Sequence, residues 1–310
     1  MQSQKEDHTD TPRRSVVAIV LAAGYGTRLE RDLRGDTSGK YQHLLGLPKP
    51  LVPVGGKPLL NYWLEAFRQN QDRVKHCFVV TNAHHYPLFE QWAKDNDFPK
   101  DHLINDGTLT NETRLGALAD VALVLKAKEE LISEGHHGLL LVAGDTLFEK
   151  SFRLREVLQS FDGLEEEESL LLYYELSDHA EVAKRGILEV AEDGSGAPGR
   201  VMSFLEKPKP EETASNKACP PLYLYSAACL PHIQRYVEQE VGNNSGAGGE
   251  QEAQEERERR RQKVDAPGAL VPALLPLMPL RACPLNTSRF DIGSLRDYIL
   301  ADAYFSSSSS

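Results

Sequence analysis

Val16-Val17-Ala18-Ile19-Val20-Leu21-Ala22-Ala23-Gly24-Tyr25-Gly26-Thr27-Arg28-Leu29 opens as an unbroken apolar run and closes on two glycines and an arginine. An apolar residue at every position, not at alternate ones, is the pattern of a parallel strand buried on both faces. The glycines turn the chain. Lacking Cβ atoms, they let backbone N–H groups approach an anion closely. Arg28 adds a planar charge suited to phosphate. Two glycines alone decide little, because a tight strand-to-helix turn uses them as well. The spacing is neither Gly-x-Gly-x-x-Gly nor a Walker loop.

Downstream, strands and helices alternate. Pro58–Gln69 carries Leu59, Leu60, Trp63, Leu64 and Phe67 on one helical face. Val74–Thr81 reads as a strand, Pro87–Asn96 as a helix, His102–Asn105 as a short strand, Arg114–Lys128 as a helix and Gly138–Ala143 as a buried strand. That order predicts an α/β fold with a doubly wound, mostly parallel sheet. The second half differs. Ser169–Leu176, Gly186–Ala191, Arg200–Glu206 and Leu222–Tyr225 read as strands with little helix between some of them. Turn signals at Asp193-Gly194 and Pro198-Gly199 predict a hairpin, hence a smaller, partly antiparallel lobe. A helix over Leu230–Gln239 follows.

The chain has 310 residues, and 35 Lys+Arg against 46 Asp+Glu give a formal charge of −11. An acidic chain of this kind is not a general nucleic-acid binder, although it can hold a local basic pocket. The four cysteines form no Cys-x-x-Cys pair, which points to neither a zinc site nor a disulfide framework. Arg13-Arg14 before an eight-residue apolar run mimics a leader peptide, yet the run is too short to span a bilayer and enters a glycine loop. Pro272, Pro276 and Pro279 break the apolar stretch Ala269–Leu280. The expectation is a cytoplasmic protein that binds no membrane. Residues 1–14 are expected as a disordered tail, 15–305 as one domain with a low-complexity insertion at 242–263, and 306–310 as a second tail. Within the insertion, Glu250–Lys263 holds five acids and five bases, the composition of a solvated loop.

Pro48-Lys49-Pro50-Leu51 and Gly55-Gly56-Lys57-Pro58-Leu59-Leu60 form the next motif. The flanking prolines fix the backbone of Lys49 and leave its side chain as the adaptable part. Together with Leu-Ala-Ala-Gly-x-Gly-Thr-Arg-Leu at 21–29, this resembles the signature of the sugar-1-phosphate nucleotidyltransferase family. The resemblance runs in order over nearly all of 15–305. It implies that Ala22, Ala23 and Gly24 border the base and ribose of a nucleoside triphosphate. Gly26, Thr27 and Arg28 would face its phosphates, and Lys49 the α-phosphate. The segment from Glu30 to Leu47 is longer than the family's usual link and reads as a mobile flap.

Asn111-Glu112-Thr113-Arg114-Leu115-Gly116-Ala117-Leu118 stands where the family carries a Gly-Thr-Ala-Gly-Ala-Leu helix start. Only Gly116 matches there, as the glycine against which the base packs. Gly144-Asp145 ends a strand at the ligand edge of the sheet, where an isolated carboxylate needs a partner. Mg²⁺ is such a partner, and the alternative is a helix cap. The family implies Asp145 and Asp291, the latter in Arg289-Phe290-Asp291-Ile292-Gly293-Ser294, as ligands of one Mg²⁺. In Arg185-Gly186-Ile187 and Glu206-Lys207-Pro208, Gly186 would make room for the sugar, Glu206 would bond its hydroxyls and Lys207 would hold its phosphate. Arg185 replaces the family's usual aromatic residue. Cys219-Pro220-Pro221 replaces a small residue and glycine, removing backbone donors from that wall.

The reaction implied is transfer of a nucleoside monophosphate from an NTP to a sugar 1-phosphate, with release of pyrophosphate. The attacking phosphate is already ionised, so no protein base is needed. The protein supplies positioning and charge neutralisation. Two other readings share these motifs: a cytidylyltransferase acting on phosphocholine or a similar alcohol phosphate, and a non-catalytic regulator that binds nucleotide sugars. The identities of base and sugar, and association into a homo-oligomer, stay open at this level.

Overall fold

The computed structural model describes residues 13–307 apart from 134, 136, 193 and 243–264. Most of the two expected tails and nearly all of the expected insertion therefore lie outside the described residues. Arg14, assigned above to the first tail, is anchored. Its backbone N–H donates to Asp162 Oδ1 at 2.9 Å and its guanidinium stacks 3.6 Å from the Phe161 ring.

The first half contains β1 (Val16–Leu21), α1 (Thr27–Gly35), the two-residue pair β2 (Pro53–Val54) and β3 (Lys57–Pro58), α2 (Leu59–Arg68), β4 (Val74–Thr81), α3 (Tyr86–Asp95), β5 (Leu103–Asn105), α4 (Ala117–Ala127), α5 (Glu129–Ser133) and β6 (Gly138–Ala143). The second contains β7 (Thr146–Phe148), α6 (Leu154–Asp162), β8 (Ser169–Glu175), β9 (Gly186–Ala191), β10 (Gly199–Glu206), β11 (Lys217–Cys219), β12 (Leu222–Tyr225), α7 (Leu230–Gly242), α8 (Leu270–Leu274), β13 (Leu280–Pro284), β14 (Arg289–Asp291) and α9 (Leu295–Ser306). Ten of these strands make one sheet in the order β11-β9-β10-β13-β8-β12-β6-β1-β4-β5.

β6, β1, β4 and β5 pair in parallel, as do β13 and β8. The antiparallel pairings turn β10, β11 and β12 against the other seven strands, so the sheet is mostly parallel by direction. The expected hairpin is the β9–β10 pair.

Alternate residues of β1 serve opposite cores, as the unbroken apolar run requires. Val16, Ala18 and Val20 join the cluster built with α2, α3, α6 and α9, while Val17 and Ile19 join that of α4, α7 and α8. The segment 30–47 is not a flap. Leu33 and Leu44 are buried in the first cluster, the Tyr41 ring meets Tyr298 edge-on, and Asp32 accepts the Leu295 N–H at 3.3 Å. Apolar residues every few positions gave the segment a face to bury.

Behind the sheet a buried ion pair ties strand, helix and chain start together. Arg73 grips Asp162 through two guanidinium nitrogens at 2.8 and 2.5 Å, and its Nε donates to the Arg14 carbonyl at 2.6 Å. Removing one partner would leave a buried charge uncompensated. Asp162→Ala is expected to lower unfolding free energy by about 3 kcal/mol in urea melts, and the double variant with Arg73→Met by less than the sum of the two singles.

Candidate active site

β1 and β6 are parallel neighbours, so the loops after them leave the same sheet edge. Gly144 follows β6. Its N–H donates to the Leu21 carbonyl at 2.8 Å, and a Cβ there would lie 2.9 Å from that carbonyl oxygen. Only glycine brings the Asp145 turn this close to the start of the glycine loop. Gly26 starts α1 with φ 62°, and a Cβ on it would sit 3.5 Å from Lys49 Cγ. Lys49 lies in a short 3₁₀ turn between Pro48 and Pro50, and its Nζ donates to Asp145 Oδ2 at 3.1 Å.

Ala22, Ala23, Gly24, Gly26, Lys49, Gly116 and Asp145 therefore line one cleft of about 300 Å³. Tyr25, Asp106, Arg114, Asp120 and Asp265 complete its walls. Arg114 is held by Asp265 through two bonds of 3.0 and 2.6 Å. Asp120 lies in α4, one turn after Gly116. It is 5 % exposed, and its Oδ1 has no hydrogen-bond partner. Burial, with the nearby Asp106 and Asp265 adding to it, pushes this carboxyl up to about 8.

The second metal candidate reaches the same place by strand pairing. β14 runs antiparallel to β7 with Asp291 opposite Thr146, the residue after Asp145. Asp291 Oδ2 accepts from Arg185 Nη1 at 2.8 Å and Arg289 Nη2 at 3.4 Å. Burial alone would raise the Asp291 carboxyl. Arg289, Arg185 and Lys49 outweigh it and hold the group below its usual range. Lys49 thus acts on both carboxylates. The helix-cap reading fails for each: Asp145 leads into a strand, and α9 is capped by the Ser294 hydroxyl, which accepts the Asp297 N–H at 3.2 Å.

Arg28, Lys207 and Asp291 line a second, wider cleft, together with Arg31, Arg185 and Arg289. Lys207 adopts φ 50°, a left-handed conformation, and its N–H donates to the Arg185 carbonyl at 2.9 Å. Gly186 opens β9 opposite Glu206, at the end of β10. Cβ atoms on Gly186 and Gly268 would fall 3.2 and 3.0 Å from Glu206 Oε2. Burial raises the Glu206 carboxyl against the pull of Lys207. Thr27, exposed on the first turn of α1, lines neither cleft, and nor do Gly186 and Glu206, which meet each other at the β9–β10 end next to Lys207.

The donor set suits Mg²⁺: two carboxylates, one on each side of the β7–β14 pairing, with neither sulfur nor imidazole. Among the described residues no group of three or more His, Cys, Asp and Glu comes together, so an ion held by Asp145 and Asp291 would complete its shell with phosphate and water. Three contributors were not assigned from the sequence. Arg185 was visible only as a departure from a motif, and Arg289 only as the residue that opens the Asp291 motif. Asp120 stands alone in the apolar run Ala117–Leu125, one turn after a matched glycine, which was a usable signal.

A mixed sheet with paired clefts at the carboxyl ends of parallel strands defines an α/β nucleotide-binding enzyme class. The chain belongs to the nucleotidyl transferase family, whose sequence profile matches residues 17–307. It is 27% identical over 218 residues to the mannose-1-phosphate guanylyltransferase catalytic subunit beta of Drosophila pseudoobscura pseudoobscura, covering 70% of this chain and 50% of that protein. It is 30% identical over 109 residues to a 2-C-methyl-D-erythritol 4-phosphate cytidylyltransferase of Bacteroides thetaiotaomicron, covering 35% of this chain and 42% of that one. The chain thus spans half or less of the length of these curated relatives. A solved UDP-glucose pyrophosphorylase in complex with UDP-glucose superposes with a TM-score of 0.62 at 16% identity, covering 94% of this chain and 98% of that one. At that identity the likeness establishes the fold. Among the described residues no helix is long and apolar enough to cross a membrane.

The buried Asp120 makes a measurable contribution to pH dependence. The folded chain keeps its proton up to about pH 8, whereas the unfolded chain releases it near pH 4. The folded state binds more protons across that window, so this group's contribution to stability falls as pH rises from about 4 to about 8 and is level above. Asp120→Asn titrates in neither state. Its unfolding free energy relative to the wild type should rise across that window, as followed by urea melts between pH 4 and 9.

Proposed function

We propose that the chain transfers a nucleoside monophosphate from an NTP to a sugar 1-phosphate and releases pyrophosphate. The observation that carries this reading is the seam between the clefts: Asp145 beside Lys49 on one side, and Asp291 beside Arg185 on the other, joined by the β7–β14 register. The first cleft takes the nucleotide. Ala22, Ala23, Gly24 and Gly116 border base and ribose, Gly26 faces the phosphates, Lys49 neutralises the α-phosphate, and Arg28 reaches the phosphates from the second cleft. In the second cleft Lys207 holds the attacking phosphate, while Glu206, the preceding residue and the strand partner of Gly186, bonds sugar hydroxyls.

A phosphate oxygen of the sugar 1-phosphate bonds to the α-phosphorus as the bond to the pyrophosphate oxygen breaks, in line. The nucleophile is ionised throughout, so the residues act by orientation and charge. Asp145 and Asp291 would hold Mg²⁺, which when bound supplies positive charge for the triphosphate and its transition state. Arg185, absent from the sequence expectation as a ligand-binding group, adds a fixed guanidinium at the entry of the attacking phosphate. Arg28, Arg185, Lys207 and Arg289 in the second cleft suit the phosphate of the attacking substrate. Mg²⁺ use, cytoplasmic location and absence of a nucleic-acid or membrane partner belong to this same reading, as do the assigned roles. The arrangement of both carboxylates with Lys49 and Lys207 also favours an enzyme over a non-catalytic binder.

Pyrophosphate release over a grid of NTPs and sugar 1-phosphates tests the proposal; silence across the grid, with NTP still bound, would favour the regulatory reading. In the active combination, Lys207→Ala should raise KM for the sugar phosphate far more than KM for the NTP. Equal rises would remove Lys207 from the sugar side. Asp145→Asn and Asp291→Asn should each lower kcat by on the order of 10²-fold, and the double variant by much less than the product, because the two carboxylates serve one ion. A fully multiplicative loss would separate them.

A further inference from the structure

Asn82 follows β4 directly and is wholly buried. Its amide makes two bonds, both to backbone. Oδ1 accepts the His85 N–H at 2.8 Å, and Nδ2 donates to the Ala23 carbonyl at 2.8 Å. An N–H can only donate and a carbonyl only accept, so the amide stands one way round. The first bond closes the turn that leads into α3, and a serine hydroxyl would serve there as well. The turn does not explain the second. That bond crosses from the end of β4 to the glycine loop and takes hold of a residue that lines the nucleotide cleft.

It also sets the direction of one peptide. Every peptide bond among the described residues is trans. In a trans peptide the carbonyl and the N–H of the following residue point opposite ways. The oxygen of the Ala23–Gly24 peptide faces the buried Asn82, so the Gly24 N–H faces away from it. Gly24 is exposed and lines the cleft, and its N–H donates to no acceptor among the described residues. The Ala22 N–H, by contrast, is taken by the Val80 carbonyl at 2.8 Å. Packing does little to restrain the Gly24 peptide, because a Cβ on Gly24 would meet no atom within 4 Å. The Tyr25 hydroxyl, bonded to Thr108 at 2.9 Å, anchors a side chain one residue further on.

We propose that Asn82 is a positioning residue for the nucleotide: from behind the glycine loop its amide fixes the Ala23 carbonyl and thereby turns the Gly24 N–H toward the cleft, as a donor to the bound NTP. Asn82 itself touches no ligand. A donor already held in place needs no reordering when the ligand arrives. This rests on the nucleotide reading of the first cleft, and the experiment separates the two.

Equilibrium binding of ATP, CTP, GTP and UTP, with Mg²⁺ present, is measured for the wild type, Asn82→Ser and Asn82→Ala, alongside their melting temperatures. Serine keeps an acceptor for the His85 N–H but is too short to reach Ala23, and alanine loses both bonds. Both variants should bind the wild type's preferred NTP about tenfold more weakly, although the serine variant should melt above the alanine one. KM for the sugar phosphate should stay within about twofold of the wild type's. In ¹⁵N-labelled wild type the Gly24 amide resonance should move on titration with the same NTP. A serine variant that binds NTP as the wild type does would overturn the proposal, as would affinities that simply follow melting temperature through the series. So would a Gly24 amide that stays still while NTP binds, and that measurement needs no variant, so it decides even where a variant fails to fold. Weakened NTP binding in both variants and a moving Gly24 amide, without turnover on any sugar phosphate, would sustain the role of Asn82 while sinking the transfer reaction. A wild type that binds no NTP would sink both.

Discussion

The contact between Gly144 and the end of β1 is the constraint on which the site depends. A hydrogen bond of 2.8 Å joins the Gly144 N–H to the Leu21 carbonyl, and any side chain at 144 would strike that same oxygen. Because β1 and β6 are parallel and adjacent, this contact fixes Asp145 against the glycine loop. Lys49 is then pinned from a third direction by its proline-flanked turn. Pro50 also lies against Gly144, with Cγ 3.1 Å from where a Cβ would stand. Three distant pieces of sequence thus meet through backbone geometry, and the charged side chains are placed as a consequence.

The charges that meet there are balanced in pairs. Lys49 answers Asp145, while Arg185 and Arg289 answer Asp291. Each carboxylate thus has its own cationic partner at the sheet edge. The same bases suit phosphate oxygens. Under the proposed function a triphosphate with its cation would take over both sides of each ion pair, metal for the carboxylates and phosphate for the bases, without leaving a charge unpaired. Lys207 belongs to the same device, because its left-handed backbone is held by the carbonyl of Arg185. Strain of this kind persists where the surroundings over-determine it, often at binding sites.

The parallel half of the sheet was legible because burial on both faces leaves an unbroken apolar run. β4, β6 and β9 carry the boundaries read from the sequence, and β1 ends only two residues early, where Ala22 leaves the strand for the loop. The segment 30–47 was misread because its buried positions, Leu33 and Leu44, are separated by a polar turn, and the partner of Tyr41 lies more than 250 residues ahead at Tyr298. β7 and β14 were not read at all. Each has three residues and exists only by pairing with the other, so neither has a local signal. Yet that pairing is what sets Asp291 beside Asp145. Arg185 was legible only as a departure from a pattern; its ion pair with Asp291 depends on the fold.

The Cys219-Pro220-Pro221 wall shows how a loss of donors can be absorbed. The two prolines cannot donate, but the Pro221 carbonyl accepts the Ala143 N–H at 3.0 Å and the Pro220 carbonyl accepts the Leu222 N–H at 2.7 Å. The wall is therefore tied directly to the strand that delivers Gly144 and Asp145. A proline pair resists local rearrangement, since φ is fixed at both positions. What the wall gives up in backbone contacts to a ligand it returns as rigidity behind the carboxylate. The wall also adjoins the group formed by Gly186, Glu206 and Gly268, because Cys219 pairs directly with Gly186, so its rigidity is passed to that group as well.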